Sequence, residues 1–325
     1  MNNFAYGRAS SAESAVATVA ARPRVTFLAG GTSLLDLMKL DVESPEALVD
    51  LTGIPEAGIV EVDGGVRIGA LTRNSEVAAS HLNRERFPLL AEAIASGASP
   101  QLRHMATVGG NLLQRTRCAY FRDVLAPCNK RTPGAGCSAL DGHHRTHAIL
   151  GTSDACIATH PSDMAVALTA LDATVVVQGR EGDRRIPIRD FYHLPGDTPH
   201  VETVLAHGEL ITAVEVPLLS FAAGSRYLKV RDRATYEFAL ASAAVALEVR
   251  DGVVRAARVA LGGVATVPWR ALAAERVLTG AACNRETFER AARAELEAAR
   301  PRRDNGFKVE LCRRTLVRAL EEVAG

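Results

Sequence analysis

Apolar positions divide the chain into three regions. Val25-Thr26-Phe27-Leu28-Ala29 is a short run of β-formers, and Gly30-Gly31-Thr32-Ser33 ends it. Leu34, Leu35, Leu37 and Met38 return at helical spacing, and Ala47-Leu48-Val49-Asp50-Leu51 resumes a strand. Residues 1–54 therefore read strand, turn, helix, strand, a first lobe. From 55 to 217, the second lobe, strands are expected at 65–70, 173–177 and 210–216, with a helix over 88–95. A stretch at about 115–160 interrupts that lobe. It is rich in Gly, Pro, Asn, Arg and His and has no sustained period, so it reads as a loop excursion organised by something other than its own core. The third region, 224–325, opens with apolar runs at 242–250 and 253–261 around Asp251-Gly252, a two-residue hairpin signal. Helical patterns follow at 271–278, 287–299 and 307–323, punctuated by Gly280 and Pro301. The expected class is α+β, closed by a small antiparallel sheet backed by helices.

Composition narrows the picture. A chain of 325 residues exceeds the usual single domain. At 47% apolar and 23% charged it has material for real cores. Its 38 basic residues balance 37 acidic ones, so no nucleic-acid partner is expected. Arg300-Pro301-Arg302-Arg303 reads as a helix ending in solvent rather than a phosphate site. The longest apolar tract, 164–177, is broken by Asp172 and falls short of the roughly 20 residues that span a bilayer. No membrane insertion is expected. Met1-Asn2-Asn3-Phe4 lacks the basic stretch and apolar run of a secretory signal, and the six cysteines are expected to be reduced thiols.

The candidate chemistry sits at the breaks in the pattern. Adjacent glycines after a strand, Gly30-Gly31, let the backbone turn sharply and aim successive N–H groups at an anion such as a pyrophosphate. The spacing is not G-x-G-x-x-G, which disfavours a standard dinucleotide site. Thr107-Val108-Gly109-Gly110-Asn111 offers a second close backbone approach. Each motif also reads as an ordinary tight turn, but the two together are suited to clamping one elongated phosphate-bearing ligand. Ser162-Asp163 reads either as a hydrogen-bonding pair for a ribose or ribityl hydroxyl or as the N-cap of the apolar helix that follows.

Cys118, Cys128, Cys137 and Cys156 are separated by nine, eight and eighteen intervening residues. Four thiols select zinc or an iron–sulfur cluster. The absence of a C-x2–4-C knuckle lowers zinc, whereas clusters accept wider spacing; unconnected thiols remain the third reading. His143, His144, His147 and His160 read as solvated or hydrogen-bonded loop histidines, and Cys283 and Cys312 as small apolar residues on helical patterns. Lys229, Arg231 and Arg233, before Tyr236, form a basic strand end that faces either a ligand or solvent.

The run 29–39 around Gly30-Gly31-Thr32-Ser33, Thr107-Val108-Gly109-Gly110-Asn111, Ser162-Asp163, and Gly262-Gly263-Val264-Ala265 with Pro268-Trp269-Arg270 resemble the FAD-binding subunits of the xanthine dehydrogenase (molybdenum hydroxylase) family, in family order over nearly the whole chain. Gln114-Arg115-Thr116-Arg117-Cys118, Pro127-Cys128-Asn129-Lys130-Arg131 and the stretch 156–161 are similar to the subset of periplasmic aldehyde oxidoreductase FAD subunits that carry an extra 4Fe–4S cluster.

The resemblance implies a two-lobed FAD-binding domain of the vanillyl-alcohol-oxidase (PCMH) type, followed by a C-terminal α/β domain of the CO dehydrogenase flavoprotein type. It implies that Thr26, Phe27, Leu28, Ala29, Gly30, Gly31, Thr32, Ser33 and Leu34 cradle the FAD pyrophosphate. Thr107, Gly110 and Asn111 would close on it, Asp163 would hold a hydroxyl, and Ile211 and Lys229 would approach the isoalloxazine. Cys118, Cys128, Cys137 and Cys156 would ligate the cluster.

The implied partners are a large molybdenum-cofactor subunit, a small 2Fe–2S subunit and an external electron acceptor. The aldehyde chemistry would occur on the large subunit. Export to the periplasm with a signal-bearing partner is the implied location, with the cytoplasm as the alternative. A hydroxybenzoyl-CoA reductase-type flavin subunit and a non-enzymatic zinc-stapled binding module are the competing readings.

Overall fold

Each region of the chain builds its own sheet in the computed structural model, which describes residues 1–325. In the first, β1 (Ala5–Arg8), β2 (Val25–Leu28) and β3 (Ala47–Asp50) lie parallel in the order β1-β3-β2. Parallel neighbours need crossovers, and two helices supply them. Ala12–Ala20, which the sequence reading missed together with β1, begins at a Ser11–Ser14 capping box. Its Ala15, Val16 and Val19 pack on Val25 and Val49 in a small core. Leu34–Lys39 is the second crossover.

The second sheet is antiparallel, with β4 (Ile59–Val62), β5 (Gly65–Gly69), β6 (Thr174–Gly179), β7 (Gly182–Pro187) and β8 (Leu210–Pro217) in the order β4-β5-β8-β6-β7. Val66 and Ile68, and likewise Val175 and Val177, point to one face, as a period of two requires. That face meets the helices Pro88–Ser96 and Asp163–Ala170 in the largest core. Between Leu112 and Asp163 the only helix is Ala119–Arg122, so the excursion has almost no regular structure of its own.

The third sheet contains β9 (Ser225–Val230), β10 (Ala241–Arg250), β11 (Val253–Gly262) and β12 (Trp269–Arg270) in the order β12-β11-β10-β9. Asp251 and Gly252 both take positive φ, 53° and 70°, as a type I′ hairpin turn demands. β10 is buried on both faces. Ala244 and Ala246 face the core of the second lobe, while Ala243, Val245 and Leu247 face the helices Leu272–Leu278, Arg285–Leu296 and Phe307–Ala324. Its small side chains let two layers approach from opposite sides. The sheet is thus covered by the second lobe as well as by its own helices, and the Asp163–Ala170 helix is the shared wall. The α+β class stands. Cys312 is a buried helical residue, but Cys283 lies in the turn before Arg285–Leu296 and is half-buried, a correction to its helical assignment. No helix is long and apolar enough to cross a membrane.

Candidate functional site

The two glycine turns meet. Gly31 has φ +72°, and a Cβ on Gly30 would stand 1.9 Å from the Met105 carbonyl oxygen. Only glycine permits so close an approach by the segment 105–107. The N–H groups of Gly30, Gly31 and Thr32 donate to no backbone carbonyl, leaving a short row of free donors. Across from them Thr107 caps the helix Val108–Leu112, its Oγ1 accepting from Gly110 N at 3.2 Å. A cavity of about 290 Å³ lies between, walled by Thr26, Phe27, Ala29 to Leu34, Thr107, Gly110 and Ile211. Leu28 is not on that wall; its carbonyl accepts from Leu51 N.

A second cavity, about 560 Å³, adjoins the first at Thr32, Ser33 and Gly110. All three regions of the chain line it, with Asn111, Asp163 and Lys229 among its walls. Lys229 Nζ lies 2.7 Å from Asp163 Oδ2, and the Tyr227 hydroxyl donates to Oδ1 at 2.6 Å. Burial, then the Asp163 charge, pushes the Tyr227 phenol well above its ordinary value. Ser162 is the helix N-cap, accepting from Ala165 N at 3.0 Å, and its hydroxyl donates to Asn111 Oδ1 at 2.6 Å. Asp163, Asn111 and Lys229 therefore stand together. Ile211 faces the smaller cavity and Lys229 the larger, so these two do not share a wall.

The sequence reading missed Asn74, whose buried Oδ1 has no partner and whose side chain lines the larger cavity. It also missed Tyr227 and Arg117; a polar residue inside a strand or loop motif carries no signal of where it points. Of the basic strand end, Lys229 and Arg233 line the cavity.

The four cysteines gather in one neighbourhood. All are free thiols; Cys128 and Cys156 are buried, and Cys128 and Cys137 form a β-bridge. Burial first, with Cys128 and Cys156 adding to it, pushes Cys118 up to about 12 against a lowering pull from the backbone N–H groups of Phe121 and Tyr120. Cys156 is raised by burial first, then by Cys137 and Cys128, against a lowering pull from Lys130. The thiols are gathered but not closed: no three His, Cys, Asp or Glu side chains are grouped so as to hold a metal ion. Backbone N–H groups point at sulfur, with Ala158 N 3.4 Å from the Cys156 Sγ.

Side chains organise this segment in place of a core. Arg131 donates to the carbonyls of Tyr120 at 3.0 Å, Phe121 at 2.8 Å, Val124 at 3.3 Å, and Ala126. Asn129 accepts from Gly136 N at 2.8 Å and donates to the Ala155 carbonyl at 3.1 Å, tying the last three cysteine stretches together. Of the four histidines, His144 and His147 are buried rather than solvated. His144 pairs with Asp304 at 2.8 Å, and His147 Nε2 lies 3.1 Å from the Cys118 Sγ. Burial pushes His147 down to about 4 and His160 to about 3. The arginine run at 300–303 follows the end of the helix Arg285–Leu296 and is largely exposed, as expected, with Arg300 N donating to the Ile149 carbonyl at 2.7 Å and Arg303 to that of Gly142 at 3.3 Å.

Comparison with known proteins places these features. Residues 2–219 match the family described as "FAD binding domain in molybdopterin dehydrogenase", and residues 226–323 match "CO dehydrogenase flavoprotein C-terminal domain". The aldehyde oxidoreductase FAD-binding subunit PaoB of Escherichia coli (strain K12) is 49% identical, over 99% of this chain and 98% of its own length. The carbon monoxide dehydrogenase medium chain of Hydrogenophaga pseudoflava is 29% identical over 90% of this chain and 87% of its own. The solved structure of carbon monoxide dehydrogenase from that organism, lacking the Mo-pyranopterin moiety, superposes with a TM-score of 0.78 at 30% identity, covering 99% of this chain and 97% of its own.

Proposed function

This chain belongs to the FAD-binding subunits of the molybdenum hydroxylase family, oxidoreductases by class, and from that membership we propose that it is the FAD-carrying electron-transfer subunit of a molybdenum-dependent aldehyde oxidoreductase. Whole-length identity of 49% to an aldehyde oxidoreductase FAD-binding subunit supports the aldehyde class. The observation that carries the reading is the pair of adjoining cavities walled by both glycine turns, with a row of free N–H donors at their junction. When bound, FAD supplies a carrier that takes up electrons and releases them to an external acceptor.

The residues divide the work of holding it. Gly30, Gly31 and Thr32 present N–H groups to a pyrophosphate, and Thr107 and Gly110 close from the second lobe. Lys229 and Tyr227 hold the Asp163 carboxylate at the cavity wall as a fixed acceptor, suited to a ribityl or ribose hydroxyl. Asn111, oriented by Ser162, stands beside it. The molybdenum cofactor and 2Fe–2S centres belong on separate large and small subunits in this reading.

We assign Cys118, Cys128, Cys137 and Cys156 to a 4Fe–4S cluster. The donor set supports this: four free thiols, two of them buried, meet in a segment with almost no regular structure and with N–H groups turned toward sulfur. An iron–sulfur cube spreads its ligand sulfurs more widely than a single ion does, which suits thiols that are gathered but not closed. Its main work is to staple the polar excursion. Carriage to the periplasm by a signal-bearing partner is part of the proposal.

The experiment is purification of the chain with its genomic neighbours, followed by visible spectroscopy and metal analysis. Flavin bands over a broad iron–sulfur shoulder, with molybdenum co-isolating, are expected. A colourless protein containing zinc, or a flavoprotein that never associates with a molybdenum subunit, would sink the reading.

A further inference from the structure

His147 stands apart from the binding work described so far. The residue is 4% exposed, Nε2 lies 3.1 Å from the Cys118 Sγ, and the other ring nitrogen, Nδ1, is buried with no partner at all. The ring is fixed from behind. The His147 carbonyl accepts from Lys308 Nζ at 3.0 Å and Asn305 Nδ2 at 3.3 Å, and its N–H donates to the His144 carbonyl at 3.0 Å. Lys308 itself is 0% exposed and is held by three carbonyls, those of Thr146, His147 and Gly263. So much anchoring for one loop imidazole aims it at a single sulfur.

A neutral imidazole carries one N–H and one bare nitrogen. Placing the proton on Nδ1 would bury a donor with nothing to receive it, and would turn a lone pair toward a cysteine sulfur. Placing it on Nε2 gives that donor an acceptor once the sulfur is a thiolate. No carboxylate touches the ring to draw a second proton onto it.

We propose that His147 is a tuning and positioning residue, donating from Nε2 to the Cys118 sulfur and raising the reduction potential of the cluster assigned to the four cysteines. This rests on that assignment. The physical basis is that the added electron increases negative charge on the ligand sulfurs, so a donor fixed at one of them stabilises the reduced form more than the oxidised form. Lys308 and Asn305 act through His147, by fixing the ring's position.

The test uses the assembled enzyme, parent and variants, with iron and acid-labile sulfide assayed before an EPR-monitored redox titration. His147→Phe keeps an aromatic ring without a donor, and His147→Gln keeps an N–H. His147→Phe is expected to lower the reduced-to-oxidised ratio about tenfold at a fixed potential, ~59 mV for one electron, and His147→Gln to recover most of the difference. Parent protein labelled with 15N-histidine is expected to show hyperfine coupling between one histidine nitrogen and the reduced cluster, a reading that needs no variant to assemble. Variants with full iron and parental potential, or labelled parent without that coupling, overturn the inference alone. A parent without iron and sulfide overturns the cluster and this inference with it.

Discussion

Gly30 shows how tightly one residue can constrain the flavin cradle. A Cβ there would overlap the Met105 carbonyl, so Gly30→Ala forces the two lobes apart at the junction of the cavities. An overpacking cost of about 1–3 kcal/mol is expected, with loss of flavin absorbance per protein after desalting; an unchanged flavin content would contradict the cradle. Lys229 acts through charge instead. Its side chain is almost fully buried against the Asp163 carboxylate, so Lys229→Met strands a buried anion, at about 3–5 kcal/mol. Calorimetry should register this as a lower melting temperature, and Lys229→Met with Asp163→Asn should recover much of it. The glycine pair and the Ser-Asp pair were legible as motifs. Tyr227 was not, because a strand tyrosine looks alike whether it meets a core or a carboxylate.

At the scale of elements, periodicity located many of the strands and helices that bury one face. The hairpin at Asp251-Gly252 was legible because only a few residue types accept two successive positive φ values. The helix Ala12–Ala20 was not, since small alanines give a weak contrast between faces. The entry to the helix Asp163–Ala170 carries a pH-sensitive joint. His160 packs edge-on against Tyr192 at 4.7 Å, its Nδ1 3.3 Å from Ser162 N, and burial holds it down to about 3. Its folded value lies below its unfolded value, so the unfolded chain takes up the proton first on acidification. Stability is therefore full above about pH 6.5 and falls toward pH 3, by up to ~1.4 kcal/mol per pH unit from this group. Urea unfolding from pH 7 to 4 should show a shallower loss for His160→Gln than for the parent. Parallel slopes would exclude His160 as the cause.

Across the whole molecule, the cysteine excursion is clasped by residues from Arg300 to Lys308 and rooted in the second lobe, but its interior depends on Arg131, Asn129 and the proposed cluster. Removing iron with an oxidant and chelator is expected to expose 118–156 to limited proteolysis while far-ultraviolet circular dichroism of the three sheets barely changes. A general collapse would mean that the excursion carries the fold. The sequence by itself determined the α+β class, the hairpin, the two glycine turns and the cysteine quartet, because each depends on local backbone conformation, short-range periodicity or residue chemistry. Only the tertiary structure decided that the two turns face each other, that Lys229 and Tyr227 converge on Asp163, that Ile211 and Lys229 line different cavities, and that His147 meets Cys118. Those contacts join residues distant in the chain, and chain spacing carries no record of which distant surfaces the packing of three sheets will bring together.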